Sequence, residues 1–331
     1  MNTINVESIA VAGQQQYDEV FPAVLAASGS RLTLSEFTDW IEQNRDTLID
    51  KLAVHGAILF RGFPIEGAED FDRAIRAFGM PSFTYEESLS NAVRVNKTDI
   101  VFTANEAPPD VSIYLHHEMA QTPLFPSRLF FCCEMAPDSD GQTPLCRSDI
   151  LLSRLTTAEP KFVEHCESLG VKYINTMPAD DDPLSGQGRS WRSTLGVDSA
   201  EAAEARLAKL GYTFEWQSDG SLRAITPALP AIRTLVDGRR VFFNQLIAAF
   251  RGWRDAKKSI TFGDGSEMPS TAMDTAIRLA DELSFDLAWQ AGDIALIDNY
   301  LVMHGRRPFS GQRRVLASLV ADDGTRLAKA C

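Results

Sequence analysis

The stretch IYLHHEMAQ, residues 113–121, decides how the rest of the chain is read. It sets two of the five histidines and a glutamate side by side, directly after an apolar run. Ile-Tyr-Leu reads as a strand, and residues two apart on a strand leave the same face. His116 and Glu118 then project together, while His117 projects the other way. Such a pair can hold half of a metal site, although a polar strand end with His and Glu is also common without one.

The other half must come from a distant strand of the same core. IDNYLVMHGRRPF, residues 297–309, offers His304 after an apolar run and before a glycine turn. Two neutral imidazoles and one carboxylate leave open positions on an ion, an arrangement that suits non-haem Fe(II) oxygenases. Arg314, ten residues beyond His304 on RRVLASLVA, could take a carboxylate in bidentate fashion. Thr143, in DGQTPL, offers a hydroxyl to the same anion. Arg313 is expected on the opposite strand face, as surface charge.

Around this centre the 331 residues are 44% apolar and 23% charged, as in ordinary soluble domains. The net charge of −13, with no basic stripe, argues against a nucleic-acid partner. No apolar run is long enough to span a bilayer, the first residues lack a signal-peptide pattern, and a cytosolic (cytoplasmic) location is expected. Cys132 and Cys133 sit in RLFFCCEM, a buried-strand pattern, and no CxxC spacing occurs.

TLSEFTDWIEQNRDTLIDKLAVHG predicts a helix ended by His55-Gly56, and EGAEDFDRAIRAFG a second one closed by Gly79. AMDTAIRLADEL predicts a third. AILFRGF, SRLFFCCEMAP, DGRRVFFNQL, FDLAWQ, GDIALIDNYLVMHG and RRVLASLVA predict strands. Residues 176–220, rich in Asp, Gly, Ser and Pro, predict an irregular insertion or lid within a single domain spanning 1–331. The order excludes regular βαβ alternation and implies a mainly β chain, an antiparallel core with flanking helices. Asn105, just before the metal strand, and Arg192, in the expected lid, are candidates for contacting a substrate.

Three stretches carry a family resemblance: HGAILFRGFPI, YLHHEMAQTPLFPSRLFFCCEMAPDSDGQTPL and DNYLVMHGRRPFSGQRRVL. The chain resembles the taurine dioxygenase-like (TauD/TfdA) family of Fe(II)- and 2-oxoglutarate-dependent oxygenases. It is most similar to the group with His-x-Glu rather than His-x-Asp, which includes hydroxylases of carrier-bound amino acids in peptide natural-product pathways. The resemblance implies a double-stranded β-helix (jelly-roll) core, with Fe(II) on His116, Glu118 and His304. It further implies 2-oxoglutarate held by Thr143 and Arg314, O2 as the other cosubstrate, and hydroxylation with release of succinate and CO2. The substrate would be a small molecule or a group tethered to a carrier protein. An oxygenase of a free small acid is an alternative. So is a non-catalytic jelly-roll binding protein, against which the intact triad counts. In the taurine-oxidising branch an arginine four residues beyond the cosubstrate arginine grips the sulfonate. That position here is Ser318, which implies that taurine is not a substrate.

Overall fold

The computed structural model describes residues 4–28, 32–83, 88–90, 92, 94–104, 107–182, 188–253 and 256–321. Two sheets face each other. The larger runs, in spatial order, Asn5–Ser8, Ala23–Ser28, Ala57–Arg61, Ile294–Asp298, Arg128–Met135, Arg314–Val320 and Phe102–Thr103. The smaller runs Phe285–Leu287, Thr143–Arg147, Val302–Arg306 and Ile113–His116. Pairing is antiparallel except between Ala23–Ser28 and Ala57–Arg61. This is a jelly-roll core with flanking helices.

Strand alternation builds the layers. Leu129, Phe131, Cys133, Val315, Ala317 and Leu319 of the large sheet share one buried cluster with Leu145, Phe285 and Val302 of the small one. Their neighbours Phe130, Cys132, Leu316 and Val320 turn the other way and pack with Phe37, Ile41, Leu52 and Phe71 of helices Leu34–His55 and Ala68–Ala77. Both faces of these central strands are therefore covered, so their sequences carry no polar alternation. Each large side chain so buried contributes about 1.5–3 kcal/mol. The first helix is delimited chemically: Thr33 and Glu36 form a reciprocal capping box, and Gly56 closes it at φ 76°. His55 ends that helix and bonds through Nδ1 to the Val20 carbonyl at 2.7 Å.

Two segments differ from the sequence-based expectation. GDIALIDNYLVMHG is not one strand. The chain turns at residues 298–301, so Ile294–Asp298 lies in the large sheet and Val302–Arg306 in the small one. The segment 176–220 is not irregular either, over its described residues. Helices Trp191–Leu195 and Ala200–Lys209 are N-capped by Ser190 and Ser199. Strand Thr213–Trp216 joins an outer sheet with Leu222–Ile225, Val171–Met177 and Ile260–Phe262. Met177, Trp191, Leu195, Ala203, Leu207 and Leu222 give it a cluster of its own. The polar composition of the short connections masked a helical period, in AEAAEARLAK, that buries Ala203 and Leu207. Among the described residues no helix is long and apolar enough to cross a membrane.

Candidate metal centre

The strand Ile113–His116 ends at its histidine, and Glu118 lies in the turn that follows. A turn rather than strand alternation therefore brings the two side chains together. Met119 adopts φ 58°, outside the usual range for a side chain of its type. Asn299, at the corner where the chain changes sheets, holds this turn. Its Oδ1 accepts the Glu118 N–H at 2.8 Å, and its Nδ2 donates to the carbonyls of Glu118 at 3.1 Å and Pro126 at 2.7 Å. His117 turns away, fully buried, and bonds through Nδ1 to the Asn299 carbonyl. Burial pushes its pKa down to about 3, so it is neutral.

His304 pairs in register with His116 on the adjacent strand. The register slips between His304 and Arg306, and Gly305 fills the irregularity. A Cβ at Gly305 would stand 2.4 Å from the Ile113 carbonyl oxygen, so only glycine lets the two ligand strands approach this closely. His116 Nε2 and His304 Nε2 lie 3.8 and 3.5 Å from Glu118 Oε2, and all three ligand atoms fall within 4.8 Å of one another.

The protonation states fit a cation. His116 donates from Nδ1 to the Tyr114 carbonyl at 2.8 Å, which leaves a lone pair on Nε2. Burial, joined by the neighbouring His116, pushes His304 down to about 4. For Glu118 burial acts upward, but the two adjacent histidines and the charge of Arg94 hold its carboxyl well below the usual range. Two imidazoles thus converge on one carboxylate, and a divalent ion fits that donor set.

Beside the triad lies a small chamber of about 60 Å³, walled by Phe131, Val315, Ala317 and Leu319. Thr143 and Arg313 line it too. Thr143 Oγ1 accepts from Trp289 Nε1 at 2.9 Å and from Arg313 Nη2 at 3.3 Å, so its own hydrogen is directed to a third partner. Arg313 also donates from Nε to the Gly141 carbonyl at 3.0 Å. Among the described residues it has no carboxylate partner. Burial, with the nearby Arg306 charge, pulls its pKa down to about 10.

The sequence-based assignment of Arg314 is corrected here. Its side chain is 56% exposed and pairs with Glu134 at 2.8 Å on the outer face of the sheet. The residues facing the chamber are Arg313, Val315, Ala317 and Leu319, one step out of phase with Arg314. Ser318 shares the Arg314 parity and is fully buried, away from the chamber. Arg192 is exposed, stacks 4.1 Å from the Trp191 ring and lines a separate surface pocket. Asn105 lies outside the described residues.

A much larger cavity, about 620 Å³, opens on the other side of His116 and Glu118, against the outer sheet. Asn175, Thr176, Thr226, Gln245, Tyr173 and Arg94 supply its polar lining. Gln245 tethers it to the metal turn by donating from Nε2 to the His117 carbonyl at 3.1 Å. Arg94 also lines the small chamber. Sequence reasoning missed it because AVRVNK carries no local signal: only the fold brings residue 94 to residues 118 and 304.

Residues 17–319 match the family described as taurine catabolism dioxygenase TauD, TfdA family. A clavaminate synthase-like protein of Arabidopsis thaliana is 40% identical over 317 residues, covering 92% of this chain and 96% of that protein. The dapdiamide synthesis protein DdaC of Enterobacter agglomerans is 26% identical over 315 residues, covering 90% of each. The crystal structure of PvcB from Pseudomonas aeruginosa shares the fold, with a TM-score of 0.56 at 14% identity, covering 97% of this chain and 92% of that one.

Proposed function

The chain belongs to the TauD/TfdA family of Fe(II)- and 2-oxoglutarate-dependent dioxygenases, and on that premise we propose that it hydroxylates a C–H bond of an amino-acid derivative. The cavity of about 620 Å³ beside His116 and Glu118 carries this reading. That volume is typical of sites for drug-sized ligands, and a compact sulfonate would leave most of it unfilled. Counted from Arg313, the position that grips a sulfonate in the taurine-oxidising branch is Ala317, which offers no charge. The relation to a synthesis protein, DdaC, supports a biosynthetic role.

In this reading His116, Glu118 and His304 hold Fe(II), and Thr143 with Arg313 takes the remote carboxylate of 2-oxoglutarate. The bound iron, with 2-oxoglutarate and O2, supplies the oxidation that leaves succinate, CO2 and a hydroxylated product. The chain positions and shields. The Tyr114 carbonyl fixes the His116 tautomer. Phe131, Val315 and Leu319 line the chamber and would exclude water from a cosubstrate bound there. Asn175, Thr226 and Gln245 present neutral hydrogen-bonding groups to the substrate.

The test is mass spectrometry for the gain of one oxygen atom, with succinate measured in parallel. Amino-acid derivatives are offered free and loaded on a carrier protein, with taurine alongside. Oxygen gain matched by succinate is expected with an amino-acid derivative, and Glu118→Ala should abolish it. Brisk succinate formation with taurine, and none with any amino-acid derivative, would overturn the reading.

A further inference from the structure

The large cavity carries its charge at one end only. Among its described lining residues Arg94 is the one arginine or lysine, and the other polar groups outside the triad are neutral hydroxyls and amides. Arg94 also lines the small chamber, so it stands at the wall between the two spaces. It shares the lining of both spaces with His116 and Glu118. A substrate entering the cavity therefore meets a fixed guanidinium next to the metal and only neutral partners farther out.

From this placement we propose that Arg94 is the specificity-determining residue for the substrate, gripping a free carboxylate within a few bonds of the C–H that is oxidised. The inference rests on the function proposed above and narrows it. A guanidinium presents two parallel N–H donors that match a carboxylate and not a thioester or amide carbonyl. A carboxyl group tied to a carrier would leave that cation opposite a neutral oxygen. The preferred substrate is thus a free acid whose remaining polar groups, amide- or hydroxyl-like, meet the neutral far wall.

The test uses Fe(II)- and 2-oxoglutarate-loaded protein under nitrogen, titrated calorimetrically with matched probes. These are amino acids and short acylated amino acids as free acids, each against its primary amide and methyl ester, together with simple carboxylates lacking an amino group. Free acids should bind more tightly than their neutral counterparts. Arg94→Gln should weaken the acids by about one to two orders of magnitude and leave amides and esters unchanged. Arg94→Lys should recover part of the loss, because the charge returns without the fork. Iron content and 2-oxoglutarate affinity should fall by much less than the affinity for the acids, although Arg94 lines the small chamber too.

Amides or esters that bind as tightly as the acids would overturn the proposal. So would an Arg94→Gln loss confined to 2-oxoglutarate, which would assign the residue to the small chamber. If only carboxylates without an amino group bind, and do so through Arg94, the amino-acid reading fails while the anion site stands.

Discussion

Arg313 and Arg314 are chain neighbours with opposite surroundings, and the difference is measurable. Arg313 is half-buried beside Thr143 with no carboxylate partner among the described residues, whereas Arg314 is paired with Glu134 at the surface. Removing one partner of a buried charge pair costs about 3–5 kcal/mol. Arg313→Ala should therefore raise the KM for 2-oxoglutarate by roughly two or more orders of magnitude. Arg314→Ala should change it by no more than about twofold, since an exposed pair is worth about 0–1 kcal/mol. Steady-state kinetics on the two variants decides it; equal effects would refute the assignment. The three residues that the fold brings together were legible in the sequence because His and Glu two apart are visible locally, and His304 follows a strand pattern. Which arginine faces inward was not. VLASLV is buried on both faces, so alternation gives the parity of the strand but no marker of which parity is inside.

At the scale of elements, the turn at residues 298–301 joins the two sheets and braces the glutamate ligand. Asn299→Ala deletes three hydrogen bonds to the segment carrying Glu118 and leaves buried backbone groups unpaired. A loss of about 2–4 kcal/mol is expected in urea unfolding, with iron affinity lower by roughly 10–100-fold. The isosteric replacement Asn299→Asp should keep the Glu118 N–H bond and lose the two that the amide nitrogen donates.

Its neighbour Asp298 makes a pH prediction. Burial raises its carboxyl to about 6, against bonds from the Tyr300 and Leu301 N–H groups. A carboxyl raised on folding stabilises the protein fully below its unfolded pKa, and that contribution is lost as pH climbs through the folded value. Stability should thus fall by about 1–3 kcal/mol between roughly pH 4 and 6 on this account. Asp298→Asn keeps the acceptor oxygen and should flatten that fall, giving a higher urea midpoint than the parent chain at pH 7.5 and a similar one at pH 4. No gain at pH 7.5 would show that the group is solvated. The polar run DNY inside an apolar stretch was the available sign of this corner; its apolar flanks argued more strongly for a continuous strand.

Across the whole molecule, one ion would bridge strands 188 residues apart in the sequence, at residues 116 and 304. Ligand that binds only the folded state stabilises it by about 2.7 kcal/mol at 100 times its Kd. Mn(II) with 2-oxoglutarate should therefore raise the thermal midpoint by several degrees, and Glu118→Ala should remove the rise. A midpoint that does not move in the unaltered protein would count against the triad. The antiparallel β core with flanking helices was readable from the order of apolar runs, and its jelly-roll form only from the family resemblance. The outer sheet was not, because its strands pair at long range and its connections have loop-like composition.

One part of that outer sheet builds an apolar cluster with Trp191, Leu195, Leu207 and Leu222, whereas its Val171, Tyr173, Ile260 and Phe262 pack in the cluster that holds Leu115 and Met303 of the ligand strands. Met177, Leu195, Leu207 and Ala224 belong to the first of these clusters and also wall the large cavity. Evolution, or an engineer, can thus recut the mould that a substrate fills while the reactive centre stays as it is. A graft of residues 177–224 from a relative with different substrate preference, leaving Val171 and Tyr173 in place, is the natural unit of exchange. Such a chimera would inherit new selectivity from its donor and the oxidising machinery from its host.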